Sequence, residues 1–129
     1  MAKKSNQKIK LLYLMKILLE NTDDEHGMTL TEISDALGEY GIDAERKTLY
    51  NDIEVLCLFG LDIEKRKGKS VTYHVISREF ELPELKLLVD AVQSSRFITH
   101  KKSNELIKKI EGFTSCYEAR RLHRQGFGT

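Results

Sequence analysis

Apolar side chains recur at helical spacing through the first part of the chain and at alternate positions further on. Ile9, Leu12, Met15 and Leu19 share one helical face, widened by Leu11, Leu14 and Leu18, which predicts a helix over Gln7–Asn21. The polar stretch Thr22–Gly27 follows, with Asp23, Asp24 and Glu25. Thr29 and Glu32 have the spacing of a capping box and start a second helix, whose inner stripe is Ile33, Ala36 and Leu37. Gly41 closes that helix in a left-handed turn. Ile42 drops back into the core, and Asp43 caps a third helix, Ala44–Phe59, with Leu49, Ile53 and Leu56 on one face and Gly60 at its end.

The period then changes to two. Leu61, Ile63 and Lys65 alternate with Asp62, Glu64 and Arg66, and Val71, Tyr73 and Val75 repeat the pattern after Lys67-Gly68-Lys69. This predicts a β-hairpin over residues 61–76 whose tight turn uses Gly68 at positive φ. After an extended connector, Arg78–Leu82, helical spacing returns. Pro83 suits a first helical turn, and Pro83–Gln93 places Leu85, Leu88, Val89 and Val92 inside with Leu87 beside them. Ser94–Thr99 is a break. Thr99 or Ser103 caps a helix to Ile110 that buries Leu106, Ile107 and Ile110, and Gly112 stops it. A last helix is expected over Ser115–Arg124 with Tyr117 and Leu122, and a frayed end over Gln125–Thr129.

These elements predict a mainly α fold. Residues 1–78 form a winged helix-turn-helix of three helices and a two-stranded wing, and residues 79–129 form a helical linker and dimerisation region. The length of 129 residues and 40% hydrophobic content suit one small domain with an appendage, and a single proline argues against a disordered tail. Cys57 and Cys116 do not suggest a disulfide framework, and Cys57 reads as a small buried hydrophobe on a helix stripe, so a cytoplasmic location is expected. Lys3, Lys4, Lys8 and Lys10 ahead of Leu11–Leu19 mimic a signal peptide, but Lys16 interrupts the run and Glu20–Asp23 replaces a cleavage site. No membrane association is expected.

Net charge is only +1, so a nucleic-acid partner requires a basic face rather than a basic chain. The third helix provides one. With its apolar stripe removed, its exposed side begins with Arg46, Lys47, Thr48, Tyr50 and Asn51. Arg and Lys match guanine O6 and N7, Asn matches adenine N6 and N7, and Thr offers a hydroxyl to phosphate or a methyl to thymine. A second basic cluster, Arg66, Lys67 and Lys69, falls at the hairpin tip, within reach of phosphates or the minor groove. Double-stranded DNA is therefore the expected partner, with helix 44–59 in the major groove and the hairpin beside it. Glu45 and Glu54 bound the patch, Asp52 is expected to pair with Arg46 or a hairpin residue, and the acidic Thr22–Gly27 loop is expected to face away from phosphate.

Other chemistry is poorly represented. His26, His74, His100 and His123 are dispersed and read as surface residues, and Cys116 with His123 lacks further metal ligands. No calcium loop, phosphate-binding glycine motif or nucleophile elbow is present, so neither catalytic residues, metal nor cofactor are expected. Lys101, Lys102, Lys108 and Lys109 read as a solvated helix face.

Three strings carry a family resemblance: Leu30-Thr31-Glu32-Ile33 with Gly41-Ile42; Arg46-Lys47-Thr48-Leu49-Tyr50-Asn51-Asp52-Ile53-Glu54-Val55-Leu56; and Gly60-Leu61-Asp62-Ile63. Together they resemble the DeoR-like winged helix of the WYL-domain transcriptional regulators. Phe80–Val92, Ser95-Arg96-Phe97-Ile98, Leu106–Phe113 and Tyr117–Arg124 are similar to that family's helical linker. The resemblance implies bacterial or phage gene regulation and a homodimer. Longer members continue into a β-rich sensing domain named for a Trp-Tyr-Leu motif; this chain has no Trp and ends where that domain would begin, so no effector ligand is expected. Two rival expectations stand beside it. One is a protein-interaction module, a truncated antagonist forming mixed dimers with another regulator. The other is a winged domain that binds RNA.

Overall fold

A computed structural model describes the backbone of residues 2–127 and the side chains of residues 8–122. His123 and Arg124 as side chains, and the expected frayed end beyond Phe127, lie outside the described residues. The fold is mainly helical with a small two-stranded antiparallel sheet. It divides into two compact units between Ile76 and Ser77.

The first unit holds α1 (Ala2–Asn21), α2 (Leu30–Glu39), α3 (Arg46–Phe59), β1 (Ile63–Arg66) and β2 (Thr72–Val75). Helix α2 starts as its sequence predicts. The Thr29 hydroxyl accepts the Glu32 amide and the Glu32 carboxylate accepts the Thr29 amide. It ends at Gly41, whose φ of 76° suits a residue without Cβ. Helix α3 starts later than expected, at Arg46 rather than Ala44, and Asp43 does not cap it. Its N-cap is Glu45 in an extended conformation, and the Ala44 carbonyl instead accepts the Ser34 hydroxyl of α2 at 3.2 Å. Arg46 and Lys47 consequently occupy the first helical positions of α3.

The core of this unit joins Leu14, Ile17 and Leu18 of α1, Ile33 and Leu37 of α2, and Leu49, Ile53 and Leu56 of α3 with Tyr73 and Val75 of β2. Each buried Leu or Ile stabilises by about 1.5–3 kcal/mol relative to exposure. Strands β1 and β2 pair with Ile63 opposite Val75 and Lys65 opposite Tyr73. Residues 67–71 connect them, so the turn is longer than the expected three residues, and Gly68 has no positive φ. The five-residue connection removes the need for a left-handed turn residue. Met28 adds a bridge to Tyr73 on the free edge of β2, with backbone hydrogen bonds of 2.8 and 3.1 Å.

The second unit contains α4 (Leu82–Gln93), α5 (His100–Glu111) and α6 (Cys116–Phe127). Thr99, not Ser103, caps α5 by accepting the Lys102 amide. Leu85, Val89, Ile107 and Leu122 form its core, with Phe80, Leu82, Val92 and Ile110 packed on it. Leu88, expected inside, is exposed because the inward stripe of α4 runs through Leu82, Leu85, Val89 and Val92. Phe80 packs edge-on against Phe113 at 5.4 Å.

One close approach governs the loop between α1 and α2. A Cβ at Gly27 would stand 2.3 Å from Nε2 of the buried His74 ring, whereas one at Gly68 would meet only a carbonyl at 3.8 Å. Gly27→Ala is therefore expected to destabilise the chain by about 1–3 kcal/mol through overpacking. Gly68→Ala should stay within about 0.5 kcal/mol of wild type. Urea denaturation of both variants checks the pair, and equal losses would contradict the account.

Candidate nucleic-acid interface

The candidate surface is built on α3, held from behind by its apolar stripe and at one side by a cation. Lys10 of α1 is buried. Its Nζ donates to Oγ1 of Thr48 at 2.7 Å and pairs with Asp52 at 2.8 Å. Asp52 therefore pairs with Lys10 of α1, and not with Arg46 or a hairpin residue as expected from the sequence. An ammonium taken out of water needs a counter-charge close by, and Asp52 lies on the side of α3 that α1 covers.

The same contact changes the role of Thr48. Its hydroxyl accepts from Lys10 and donates to the Glu45 carbonyl at 2.8 Å. A hydroxyl carries one proton, and this one is already committed, so the expected donation to phosphate is replaced by a structural bond.

Lys47 and Asn51 are exposed on the outer face of α3, and their side chains make no hydrogen bond or ion pair with another described residue. Arg46 is also exposed but turns back toward α2, donating from Nη2 to Oγ1 of Thr31 at 3.0 Å. Lys65 of β1 lies over the Tyr50 ring, 5.8 Å from its centroid. Arg46, Tyr50 and Lys65 border a cleft of about 340 Å³ between the start of α2, the start of α3 and the hairpin. Thr29, Thr31 and Ser70 line it together with them. Leu30 and Val71 supply its apolar walls. Lys47 and Asn51 do not line the cleft.

The hairpin cations divide in two. Lys67 and Lys69 are exposed in the connection and engage no described residue. Arg66, expected to meet phosphate, is instead held by Glu64 and by Asp24. Its hydrogen bonds to Glu64 and then Asp24 hold the guanidinium above its usual pKa. The acidic loop thus lies against the hairpin rather than apart from it. The Asp23 carbonyl lies 2.9 Å from His74 Nδ1, and the Thr22 hydroxyl accepts the Val75 amide at 2.9 Å. His74 is buried, contrary to the surface position expected of it, because Thr72, Asp23 and Gly27 enclose the ring. Burial also pushes the Tyr73 phenol up from its ordinary pKa.

Sequence reasoning missed Lys65, Thr31 and Ser70. Lys65 is in phase with Ile63, so the period of two puts it on the apolar side of the strand, yet it is exposed and lies over the Tyr50 ring of α3, a contact distant in sequence. Cys57, read as buried, is exposed, because the inward line of α3 is Leu49, Ile53 and Leu56 and the next residue turns away from it. Among the described residues no three His, Cys, Asp or Glu side chains gather as metal ligands, and no helix is long and apolar enough to cross a membrane. Compared with family models, curated proteins and solved structures, the chain matches none.

Lys10→Met leaves Asp52 without its cation. Asp52 keeps partial exposure, so the expected loss lies at the low end for a broken buried pair, about 3 kcal/mol. Lys10→Met combined with Asp52→Leu should recover much of it. A double-mutant cycle by denaturation tests the coupling, and simple additivity would contradict it.

Proposed function

We propose that this chain is a sequence-specific double-stranded DNA-binding transcriptional regulator built as a winged helix-turn-helix. In this reading α3 lies in the major groove, and the hairpin between Ile63 and Val75 is the wing, resting on phosphates or the minor groove. The observation that carries it is the pair Lys47 and Asn51, exposed and unengaged on the first turns of a helix whose opposite face is buried. Recognition helices present base-reading groups in this way, near the N-terminal end and away from the core. Lys67 and Lys69 at the hairpin tip add an independent source of positive charge.

The strings Arg46–Leu56 and Phe80–Val92 extend the proposal to the WYL-domain family of regulators. On that reading α4–α6 serve as linker and homodimer contact, and the protein works in the cytoplasm without catalysis. Two-fold pairing would then require a repeated DNA half-site. A second reading, a protein-interaction module, draws on the far end of α3. Val55, Leu58 and Phe59 share one side of that helix, and Leu58 and Phe59 are 85% and 75% exposed.

Selection of duplexes from a random pool by the full chain separates the two readings. A selected site is expected. Replacing Lys47 and Asn51 together by Ala should weaken it by about 1–3 kcal/mol per lost bidentate contact while sparing random duplex. Lys69→Ala should weaken both duplexes alike. Failure to enrich any sequence, or equal losses on both duplexes for the Lys47 and Asn51 variant, would reject base reading.

A further inference from the structure

We infer that the cleft between α2, α3 and the hairpin seats one phosphate of the duplex backbone, with Arg46 and Lys65 as its clamp. The inference rests on the DNA-binding reading and assigns to Arg46 a different task from that of Lys47 and Asn51. Four observations carry it.

First, the cleft is charged with one sign. Arg46 and Lys65 line it with the hydroxyl-bearing residues Thr29, Thr31, Ser70 and Tyr50, and no acidic residue does. Of the acids next in sequence to lining residues, Glu32 is held on the Thr29 amide and Glu64 on Arg66. Second, donors are available. The Leu30 and Thr31 amides belong to the first turn of α2, where no helical carbonyl can receive them, and neither has another partner among the described residues. A phosphate oxygen suits such donors.

Third, both cations are positioned before any ligand arrives. Arg46 is drawn toward Thr31 through one of its five donors, leaving the rest of the guanidinium for an oxyanion. Lys65 is steered by the Tyr50 ring. Fourth, Arg46 points back toward α2, away from the outer face on which Lys47 and Asn51 stand. A guanidinium committed to that side is placed for a phosphate at the groove edge rather than for a base inside it. Phosphate contacts of this kind set the register of a protein on the duplex and carry no sequence information themselves.

The test is the salt dependence of binding to random duplex, followed by fluorescence anisotropy with the full chain. Each phosphate contact contributes about 0.9 to the slope of log affinity against log salt. Arg46→Ala and Lys65→Ala together should flatten that slope by about 0.9, the share of one phosphate, with each alone removing part of it, and each should weaken selected and random duplexes by the same factor. Arg46→Lys should largely restore the slope, since a phosphate accepts a point charge where a bidentate base contact does not. Both residues are exposed, so unchanged melting temperatures confirm that the variants fold. An unchanged slope, or a loss from Arg46→Ala confined to the selected site, overturns the assignment. Wild type that binds no duplex at low salt overturns the regulator reading and the duplex as the source of the phosphate. Amide shifts at Leu30 and Thr31 on titration with inorganic phosphate, abolished by Arg46→Ala, would in that case assign the cleft to a free phosphate.

Discussion

Lys10 crosses from the first helix to the third and meets Thr48 and Asp52 there, with almost none of its side chain left in water. This buried cation ties the side of α3 next to Lys47 and Asn51 to α1. Leu49, Ile53 and Leu56 fix which side of the helix points inward, but an apolar stripe tolerates rotation and sliding. A charged pair with one geometry does not, because an ammonium that loses its carboxylate in a poorly solvated place is strongly destabilised. The tether lies one residue from Lys47 and one from Asn51, through Thr48 and Asp52. The direction of the exposed polar groups therefore follows from a contact they do not make.

Positive charge in the first unit sorts by what each cation touches. Lys10 and Arg66 are bound to carboxylates and hold elements together, Lys10 joining α1 to α3 and Arg66 joining the hairpin to Asp24. Arg46 and Lys65 are guided by neutral partners, a threonine hydroxyl and an aromatic face, which orient them without neutralising them. Lys47, Lys67 and Lys69 are untethered. A net charge of +1 conceals this arrangement, since acids are matched to the first group and withheld from the cleft.

Much of the architecture was legible in the sequence because it is set by local rules. Thr29 with Glu32, Gly41 after α2, Gly60 after α3 and Thr99 before α5 act within a few residues of themselves. Helical and strand periods located all eight elements near their observed places. What was not legible depends on partners distant in sequence. Nothing near Arg66 announces Asp24, nothing near Asp52 announces Lys10, and the burial of His74 follows from a loop that precedes it by a whole helical pair. The start of α3 was misplaced by two residues, and there the Ala44 carbonyl meets the hydroxyl of Ser34, ten residues earlier on α2. For the candidate site, exposure of Arg46, Lys47, Tyr50 and Asn51 follows from subtracting the apolar stripe, while the cleft that gathers Arg46, Tyr50 and Lys65 arises only when the hairpin folds back beside α3.

The central claim is that the start of α3 and the hairpin form one surface for duplex DNA. Amide chemical-shift mapping of the full chain, titrated with a random duplex at low salt, tests it most directly. The account predicts perturbations concentrated at residues 30–31, 46–51 and 65–71, with the buried stripe and α4–α6 far less affected. Perturbations confined to the Leu58–Phe59 end of α3 or to the second unit, or none at all, would contradict it.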